Sequence, residues 1–498
     1  MAKSGNGNWM TDRWSGSNRG IAEFKDFIQN RLLSILGIKN QNLIDEESSQ
    51  TERIIQRKNE KSGAYEVSFS VHGHSLKIDA VAHELPKDTI NVGISVVNAF
   101  LDVSCYSVAT GKVQHRYPDV TVYQKVLDAA IQNGICSWCA GSNSTKFYEL
   151  IRVLETWAVK TYEGKKVSFG FVFDPDKESD FRTDDRGKFG NGTWISFLDD
   201  DYAATLSDGI HSIIELDKNC NFSQFLSLTN KGRVEGYELN HGTPYRFSHV
   251  IQSYVTGSRV GVFLLNNGDI VLSKNQAVQF IKRNLKWLNI SSDAFYGVIL
   301  AKMSNEPAPE FPVLLKAVYA SVLDVSFSHS GGIIAVVEKK GLLTDYTTEE
   351  TTGGDAGKTR KKIKSQPIIN PCDDLMFHYN DEMIKKHMKE LQPGLEDDEI
   401  KKRFLKRYVV KALIKDQGFV DLDRKLRAEL IAMDGACILD YNGNICSVGA
   451  IIQNDSGSSG GGRTSAAKKL SKYGFAVKVS TDGYIEVFVN EQNIYSVK

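Results

Sequence analysis

Three dipeptides that favour tight β-turns stand between short apolar runs and constrain the fold more than any other feature. They are Asn267-Gly268, Asn442-Gly443 and Asp482-Gly483. Asn-Gly satisfies the positive φ angles of a type I′ turn, so the first pair predicts a hairpin between residues 262–265 and 269–272. The other two pairs predict further hairpins near the C-terminus. The chain is therefore expected to contain antiparallel sheets.

Apolar residues at helical spacing predict helices between these strands. The clearest segments are 21–36, 146–161 and 396–415, and a proline at the first turn indicates another helix over 312–323. Alternation of apolar and polar residues over 91–97 predicts a strand. We therefore expect a mixed α/β (α+β) fold. In it, a C-terminal domain with a central mixed sheet flanked by helices follows an N-terminal α/β region of one or two subdomains.

The length of 498 residues allows two to four domains, each able to bury its own core. No internal repeat is evident. Changes in composition and pattern predict a disordered tail (1–20), an N-terminal α/β domain (21–190), a β-rich subdomain (191–310) and a C-terminal domain (311–498) with an insertion at 339–415. The start of that insertion, 338–370, is polar and basic and is expected to be exposed and mobile.

The charge balance excludes one class of function. The chain has 61 basic and 61 acidic residues, so it does not carry the broad basic surface of a nucleic-acid-coating protein. A local basic pocket remains compatible with neutrality. No apolar run approaches the ~20 residues of a membrane helix, and the polar N-terminus lacks a signal-peptide core. Seven cysteines, an odd number, suit free thiols in a reducing cytoplasm.

A Gly/Ser-rich loop leads into a helix at residues 456–470. Glycines let a backbone approach a ligand closely, and a helix start offers free N–H groups and the positive end of a dipole. Arg463, Lys468 and Lys469 add charge that an oligophosphate would accept. The alternative is a flexible surface loop with a Ser/Thr N-cap, and composition alone favours that alternative.

Asp434 stands with Gly435 at the entrance of a predicted apolar strand. A carboxylate there is suited to hold a divalent cation or to orient a ribose hydroxyl. The alternative is a simple Asp-Gly turn, which is far commoner.

Three segments together resemble a known family. Residues 419–443, 460–471 and 477–488 resemble the catalytic domain of the diadenylate cyclases, and 331–337 resembles that domain's first core strand. The resemblance covers about residues 311–498, apart from the insertion.

The family carries an Asp-Gly-Ala motif and a Gly-Thr-Arg-His-Arg motif. The resemblance implies that the aspartate binds metal and helps activate a ribose 3′-hydroxyl, while the Arg-His-Arg run holds ATP phosphates. The first motif is matched in full at 434–436. In the second, Arg463 stands at the first arginine, Thr464 at the histidine and Ser465 at the second arginine, while Gly462 replaces the threonine. The predicted site therefore comprises Asp434 as metal ligand and, if the chain is active, catalytic residue, with Gly435, Ala436, Gly461, Gly462, Arg463, Thr464, Ser465 and Lys468 as nucleotide-binding residues.

Replacing two cationic side chains by hydroxyls has a physical consequence. Phosphoryl transfer depends on positioning and on neutralising phosphate charge, whereas hydroxyls still hydrogen-bond a phosphate. The sequence therefore predicts a cytoplasmic sensor of a nucleotide or cyclic dinucleotide with weakened or lost catalysis. It is expected to use Mg²⁺ or Mn²⁺ with ATP or a related nucleotide and to act as a homo-oligomer or with an effector protein.

Two other classes of function stay open. One is an active cyclase that condenses two ATP molecules into cyclic di-AMP, each held on one of two facing subunits as the resemblance implies. The other is an interaction scaffold with a vestigial pocket.

Four weaker motifs favour structural interpretations. Residues 353–359 imitate a phosphate-binding P-loop, but Thr352 occupies the required first glycine. The acidic clusters at 174–176 and 199–201 are expected to be solvated loops. Cys136 and Cys139 have the spacing of a zinc or redox pair, and the histidines able to complete such a site are His72, His74 and His83. Buried structural cysteines are the favoured interpretation of that pair.

Overall fold

The chain forms two compact units, unit 1 (Met1–Ala301) and unit 2 (Lys302–Lys498). The predicted boundary lay at 310/311. Both units combine helices with sheets, which confirms the mixed α/β fold class. The computed structural model describes residues 18–38, 42–47, 53–60, 64–71, 74–81, 83–109, 120–162, 164–178, 207–227, 242–302, 309–338, 368–376, 380–391, 394–452 and 461–497. Most of the predicted disordered tail falls outside these ranges.

Unit 1 begins with a helix and a four-stranded antiparallel sheet in the order β1-β4-β3-β2. The helix starts as α1 (Asn18–Phe27) and continues through a π turn (Ile28–Leu32) and a last α turn (Leu33–Ile35). Gly37 follows the last turn with a φ of +70°, the left-handed conformation common at a helix C-terminus. The strands are β1 (Ile44–Glu47), β2 (Ile54–Lys58), β3 (Tyr65–Val71) and β4 (His74–Val81).

Three long helices follow. The strand predicted over 91–97 was wrong, because this segment lies within the first of them. Val92, Val96 and Phe100 are buried at the i, i+4, i+8 spacing of one helical face. Gly134 brings the second helix close, since a Cβ there would lie 2.5 Å from Cα of Val96. The helices are α2 (Lys87–Ala109), α3 (Val120–Ala140) and α4 (Ser144–Trp157).

The rest of unit 1 is a seven-stranded sheet in the order β13-β12-β11-β10-β7-β8-β9. Strands β7 and β10 pair, so the predicted boundary at 190/191 falls within a single sheet. The strands are β7 (Phe169–Phe173), β8 (Ser212–Leu216), β9 (Phe222–Ser227), β10 (Val260–Leu264), β11 (Ile270–Lys274), β12 (Ala277–Arg283) and β13 (Lys286–Asn289). A two-stranded ribbon, β5 (Thr161–Tyr162) and β6 (Lys165–Lys166), precedes them. Two more α-helices, α5 (Ser248–Tyr254) and α6 (Ser292–Leu300), are found in the described part of the unit.

Unit 2 is built on a six-stranded mixed sheet in the order β16-β15-β14-β17-β18-β19. Only β14 and β15 run parallel, with Ile333 opposite Ala436. The strands are β14 (Gly332–Val337), β15 (Ala436–Asp440), β16 (Ile445–Ala450), β17 (Gly474–Val479), β18 (Ile485–Val489) and β19 (Gln492–Val497). The helices are α7 (Phe311–Ser328), α8 (Asp381–Leu391), α9 (Asp397–Ile414), α10 (Arg424–Ala432) and α11 (Gly462–Leu470).

Helix α7 is long and apolar enough to cross a membrane by length and composition alone. Twelve of its 18 residues are buried within unit 2. A core helix passes the same test of length and composition, and this burial is typical of one.

The second half of the predicted insertion is part of the packed domain. Residues 339–367 lie outside the described ranges. Ile368 and Ile369, expected in a mobile segment, are buried in the core beside Ile438. The backbone also anchors here, because Leu375 N donates to Cys446 O over 2.8 Å. The expectation of an exposed segment through residue 370 was wrong at its C-terminal end, where apolar side chains join the sheet.

The three predicted hairpins are present, but the first uses a different turn. In Asn267-Gly268 only the glycine has a positive φ, +92°. Leu265 N donates to Asp269 O over 2.8 Å, so the loop has three residues with glycine in the left-handed position. Paired positive φ angles, which type I′ turns require, occur instead at Asn275-Gln276, Asn284-Leu285 and Asn490-Glu491.

Candidate functional site

The two predicted segments meet at one end of the unit 2 sheet. Strands β14 and β15 both begin there because they are parallel, and their antiparallel neighbours β16 and β17 end there. The 434–436 segment enters β15 at this end. Helix α11 starts there as well, since a Cβ on Gly331 would lie 3.2 Å from Nη1 of Arg463. Loop 453–460, which carries most of the predicted Gly/Ser run, lies outside the described residues.

Asp434 is exposed at this end of the sheet. Within the described part of the chain, no group donates a hydrogen bond to its carboxylate. Gly435 has a φ of +106°, and a Cβ there would lie 2.4 Å from the carbonyl carbon of Gly449. Backbone conformation and close approach therefore both require glycine. Ala436 is fully buried as the first residue of β15.

The first turn of α11 presents an arginine and two hydroxyls. Arg463 is exposed, while Thr464 and Ser465 are half-buried. Gly461 and Gly462 precede them in open space, because a Cβ on either would meet nothing within 4 Å. Lys468 is exposed one turn further along the helix. The predicted residues of this segment thus lie at the sheet end, with Arg463 against the start of β14.

A lysine that the sequence did not single out stands beside the altered motif. Nζ of Lys478, on β17, donates to Oγ1 of Thr464 over 2.9 Å and to Glu486 over 2.8 Å. A cation therefore lies within hydrogen-bonding distance of the Thr464 hydroxyl. The buried carboxylate of Glu486 balances much of the positive charge of Lys478.

A second unpredicted lysine comes from helix α9 in the insertion. Lys406 donates to the carbonyl of Gly449 and lies 3.6 Å from Oδ1 of Asp373. Burial raises the pKa of Asp373, while Lys406 opposes that rise. The insertion thus contributes positive charge next to the strand ends around Gly435.

The side chains at this sheet end offer few ligands for a metal ion. The described residues contain no group of three His, Cys, Asp or Glu side chains placed to hold an ion. Among the described carboxylates at this sheet end, Glu486 pairs with Lys478 and Asp373 with Lys406, whereas Asp434 and Asp482, in the turn after β17, are exposed. Mg²⁺ is commonly held by one or two carboxylates together with substrate phosphates. The described residues therefore form no metal centre by themselves, and a cation bound here would need ligands from outside them.

The remaining candidates do not form a site in the described residues. Cys136 and Cys139 are buried in α3, where burial raises the pKa of Cys139 to about 12 and that of Cys136 well above its usual value. His83 is buried and its pKa is lowered by that burial. Asp174 accepts from Arg259 over 2.9 Å and is therefore not a solvated loop residue, although its neighbour Asp176 is more exposed. Residues 72–73, 199–201 and 353–359 lie outside the described ranges.

Comparisons with protein-family models, with curated proteins and with solved structures find no match to this chain.

Proposed function

We propose that unit 2 binds a nucleotide or cyclic dinucleotide at the sheet end formed by Asp434 and Arg463, with catalysis weakened or lost. The observation that carries this proposal is the convergence of two segments that are distant in sequence. The exposed carboxylate of Asp434 and the exposed guanidinium of Arg463 lie at the starts of the neighbouring strands β15 and β14. The glycines just before Arg463 leave open space beside it. This arrangement, together with the resemblance to diadenylate cyclases, supports an anionic ligand with a ribose.

The local charge supports the same ligand class. Arg463 is exposed and offers the planar fork that suits a phosphate. Lys478 and Lys406 lie at the same end, but each is paired with a carboxylate, Glu486 or Asp373, so Arg463 carries most of the charge argument. A chain with no net charge can therefore hold a small anion in one place.

We expect weakened turnover because the two residues after Arg463 carry hydroxyls. Thr464 and Ser465 supply hydroxyls where the family motif supplies cations. Lys478 reaches Thr464 but is already paired with Glu486. Binding needs hydrogen bonds to the phosphates, whereas transfer also needs the developing charge on the leaving pyrophosphate to be neutralised.

The alternative is an active diadenylate cyclase, and one observation favours it. Asp434 is exposed and accepts no hydrogen bond from the described residues, so its carboxylate is available to a metal ion. Incubating the chain with labelled ATP and Mg²⁺ or Mn²⁺ separates the two. Cyclic di-AMP would establish the alternative, and the sensor proposal expects ATP to be recovered intact.

Calorimetric titration with ATP and with cyclic di-AMP tests the proposal. We expect binding of at least one of them by the wild-type chain, weakened about tenfold or more by Arg463→Gln, since a charge-assisted hydrogen bond is lost. Asp434→Asn should weaken only the Mg²⁺-dependent part. Lys316→Gln is the control, because it removes one positive charge from an exposed position on α7. Failure of both ligands to bind would leave the scaffold interpretation, and equal binding by wild type and Arg463→Gln would place the ligand elsewhere.

A further inference from the structure

The sheets of the two units share one topology. Strands β9-β8-β7-β10-β11-β12 of unit 1 follow the same order as β16-β15-β14-β17-β18-β19 of unit 2, and β13 extends the former by one strand. In each series the only parallel pair is formed by the first two strands along the chain, β7 with β8 and β14 with β15. All other neighbours are antiparallel. A helix precedes the first strand in both, and a second helix precedes the fourth.

The turn after the second strand is the same in both units. Unit 1 has Asp-Lys-Asn-Cys-Asn at 217–221, and unit 2 has Asp-Tyr-Asn-Gly-Asn at 440–444. In each, Oδ1 of the aspartate accepts from the backbone N–H groups two and four residues later, at 2.8 and 2.8 Å and at 3.0 and 2.8 Å. The fourth residue has a positive φ in both, even though it is Cys220 in unit 1.

The next two turns match as well. Gly268 and Gly483 both have a positive φ in three-residue hairpin loops with the same pair of backbone hydrogen bonds. Seven residues after each glycine stands an asparagine, Asn275 or Asn490, that begins a two-residue turn with both φ angles positive. Non-glycine residues adopt such angles rarely. Such pairs also occur at 284–285 and 415–416, so what the two units share is the equal spacing from the hairpin glycine.

We infer that unit 1 contains a second copy of the unit 2 fold, over about residues 144–283, and that Arg246 marks a second binding site for a phosphate-bearing nucleotide. The ligand class assigned here rests on the proposed function of unit 2. Asp208-Gly209 lies two residues ahead of β8, whereas Asp434-Gly435 leads directly into β15, so the two pairs are near one another in the fold but not at equivalent positions. Gly209 also has a positive φ, +70°.

The two arginines lie near the start of the corresponding first strands, although Arg463 is within the first turn of α11 and Arg246 is in a separate 3-10 turn. Arg246 stands just ahead of α5, and its Nη2 donates to Oγ of Ser168 over 3.2 Å. Ser168 immediately precedes β7, as Gly331 immediately precedes β14 and lies against Arg463. Arg246 is exposed. In both copies, therefore, an exposed guanidinium reaches the residue before the first strand, on the side where the Asp-Gly pair enters the sheet.

The two sites differ at the aspartate. Asp208 accepts from the backbone N–H groups of Ile210 and His211 at 2.8 and 2.7 Å, and its Oδ2 lies 2.5 Å from Nδ1 of His211. The carboxylate of Asp208 is thus hydrogen-bonded within its own turn, whereas that of Asp434 accepts no hydrogen bond from the described residues. The unit 1 site is therefore expected to bind without a divalent cation.

Equilibrium dialysis of the full chain against labelled ATP, with Mg²⁺ or with EDTA, tests this inference. We expect two ATP molecules per wild-type chain in Mg²⁺, one for Arg246→Gln and one for Arg463→Gln. The site that remains in Arg463→Gln should keep its affinity in EDTA within about threefold. Arg152→Gln, an exposed arginine on α4, is the control for unit 1. Circular dichroism should show that both variants fold, since the altered side chains are exposed.

The failures are distinguishable. A wild-type stoichiometry of one that Arg463→Gln abolishes and Arg246→Gln leaves intact would overturn the second site and retain the proposed function. A stoichiometry of one abolished only by Arg246→Gln would overturn the proposed function and retain this site. No ATP bound in either buffer would overturn the second site, and the calorimetric titration with cyclic di-AMP would then decide the proposed function separately.

Discussion

Gly435 is a residue at which both the backbone angle and the packing disfavour any side chain. Its φ of +106° is unfavourable for any side chain, and a Cβ would meet Gly449 at 2.4 Å. We expect Gly435→Ala to destabilise unit 2 by about 1–3 kcal/mol. Gly462→Ala is the matched control, because a Cβ there meets nothing, and the change should be neutral or stabilising by up to about 1 kcal/mol.

Urea unfolding can assign these changes to one unit. All six tryptophans lie in residues 1–301, so tryptophan fluorescence follows unit 1, whereas circular dichroism follows both units. Gly435→Ala should move only the transition that fluorescence does not detect. An equal free energy of unfolding for the two alanine variants would contradict the geometry at Gly435.

The cysteine pair in α3 should be chemically inert in the native protein. Burial raises the pKa of Cys139 to about 12, so at pH 8 hardly any thiolate exists, and the thiolate is the nucleophile. We expect iodoacetamide to leave Cys136 and Cys139 unmodified until urea is added, as mapped by peptide mass spectrometry. Rapid native alkylation of either, or one stoichiometric zinc per chain, would reverse this interpretation.

The turn between β12 and β13 holds a leucine in an unfavourable backbone conformation. Leu285 has a φ of +66° and is 69% exposed, so it gains little from packing. A left-handed conformation costs a non-glycine residue roughly 1–2 kcal/mol. We expect Leu285→Gly to stabilise unit 1 by about 1 kcal/mol, measured by tryptophan fluorescence in urea. Leu285→Ala removes the same exposed side chain but keeps the Cβ, so a gain as large as that of glycine would argue against strain.

Helices α7 and α10 are joined by a buried ion pair. Arg424 is 1% exposed, and its Nε and Nη2 lie 2.7 and 3.0 Å from the two carboxylate oxygens of Asp324. Removing one partner leaves a buried charge unpaired, so Asp324→Ala should destabilise unit 2 by about 3–5 kcal/mol. Glu399→Ala breaks the exposed pair with Arg403 on α9 and should cost at most about 0.5 kcal/mol. Similar costs for both changes in urea unfolding would contradict this difference in burial.

Local pattern predicted most elements of unit 2 but not all elements of unit 1. Helix α7 was predicted from its proline start and helix α9 from its apolar spacing, and both patterns are complete within their own segments. The prediction for 91–97 was wrong because a short alternation of apolar residues also fits part of a helical face. Only the packing of α2 on α3 distinguishes a strand from a helix here. Turn type at Asn267-Gly268 likewise depends on the pairing of Leu265 with Asp269, which lies outside the dipeptide.

At the scale of the whole molecule, the sequence supplied the members of the candidate site but not its full charge. Asp434 and Arg463 were expected from their motifs. Lys478 and Lys406 were not, because strand register and the docking of α9 bring them there. The shared topology of the two units could not be predicted from the sequence either, because it is defined by strand order and turn geometry. Few residues recur beyond the turn positions, so no repeat is visible in the sequence.

Photolabelling with 8-azido-ATP, followed by peptide mass spectrometry, tests the central claim most directly, because it locates the ligand on the chain. We predict ATP-competable labels on the unit 2 segments that hold Gly331, Asp434 or Arg463, strongly reduced in Arg463→Gln and unchanged in Lys316→Gln. Competable labelling absent from all three segments would contradict the proposed nucleotide site in unit 2.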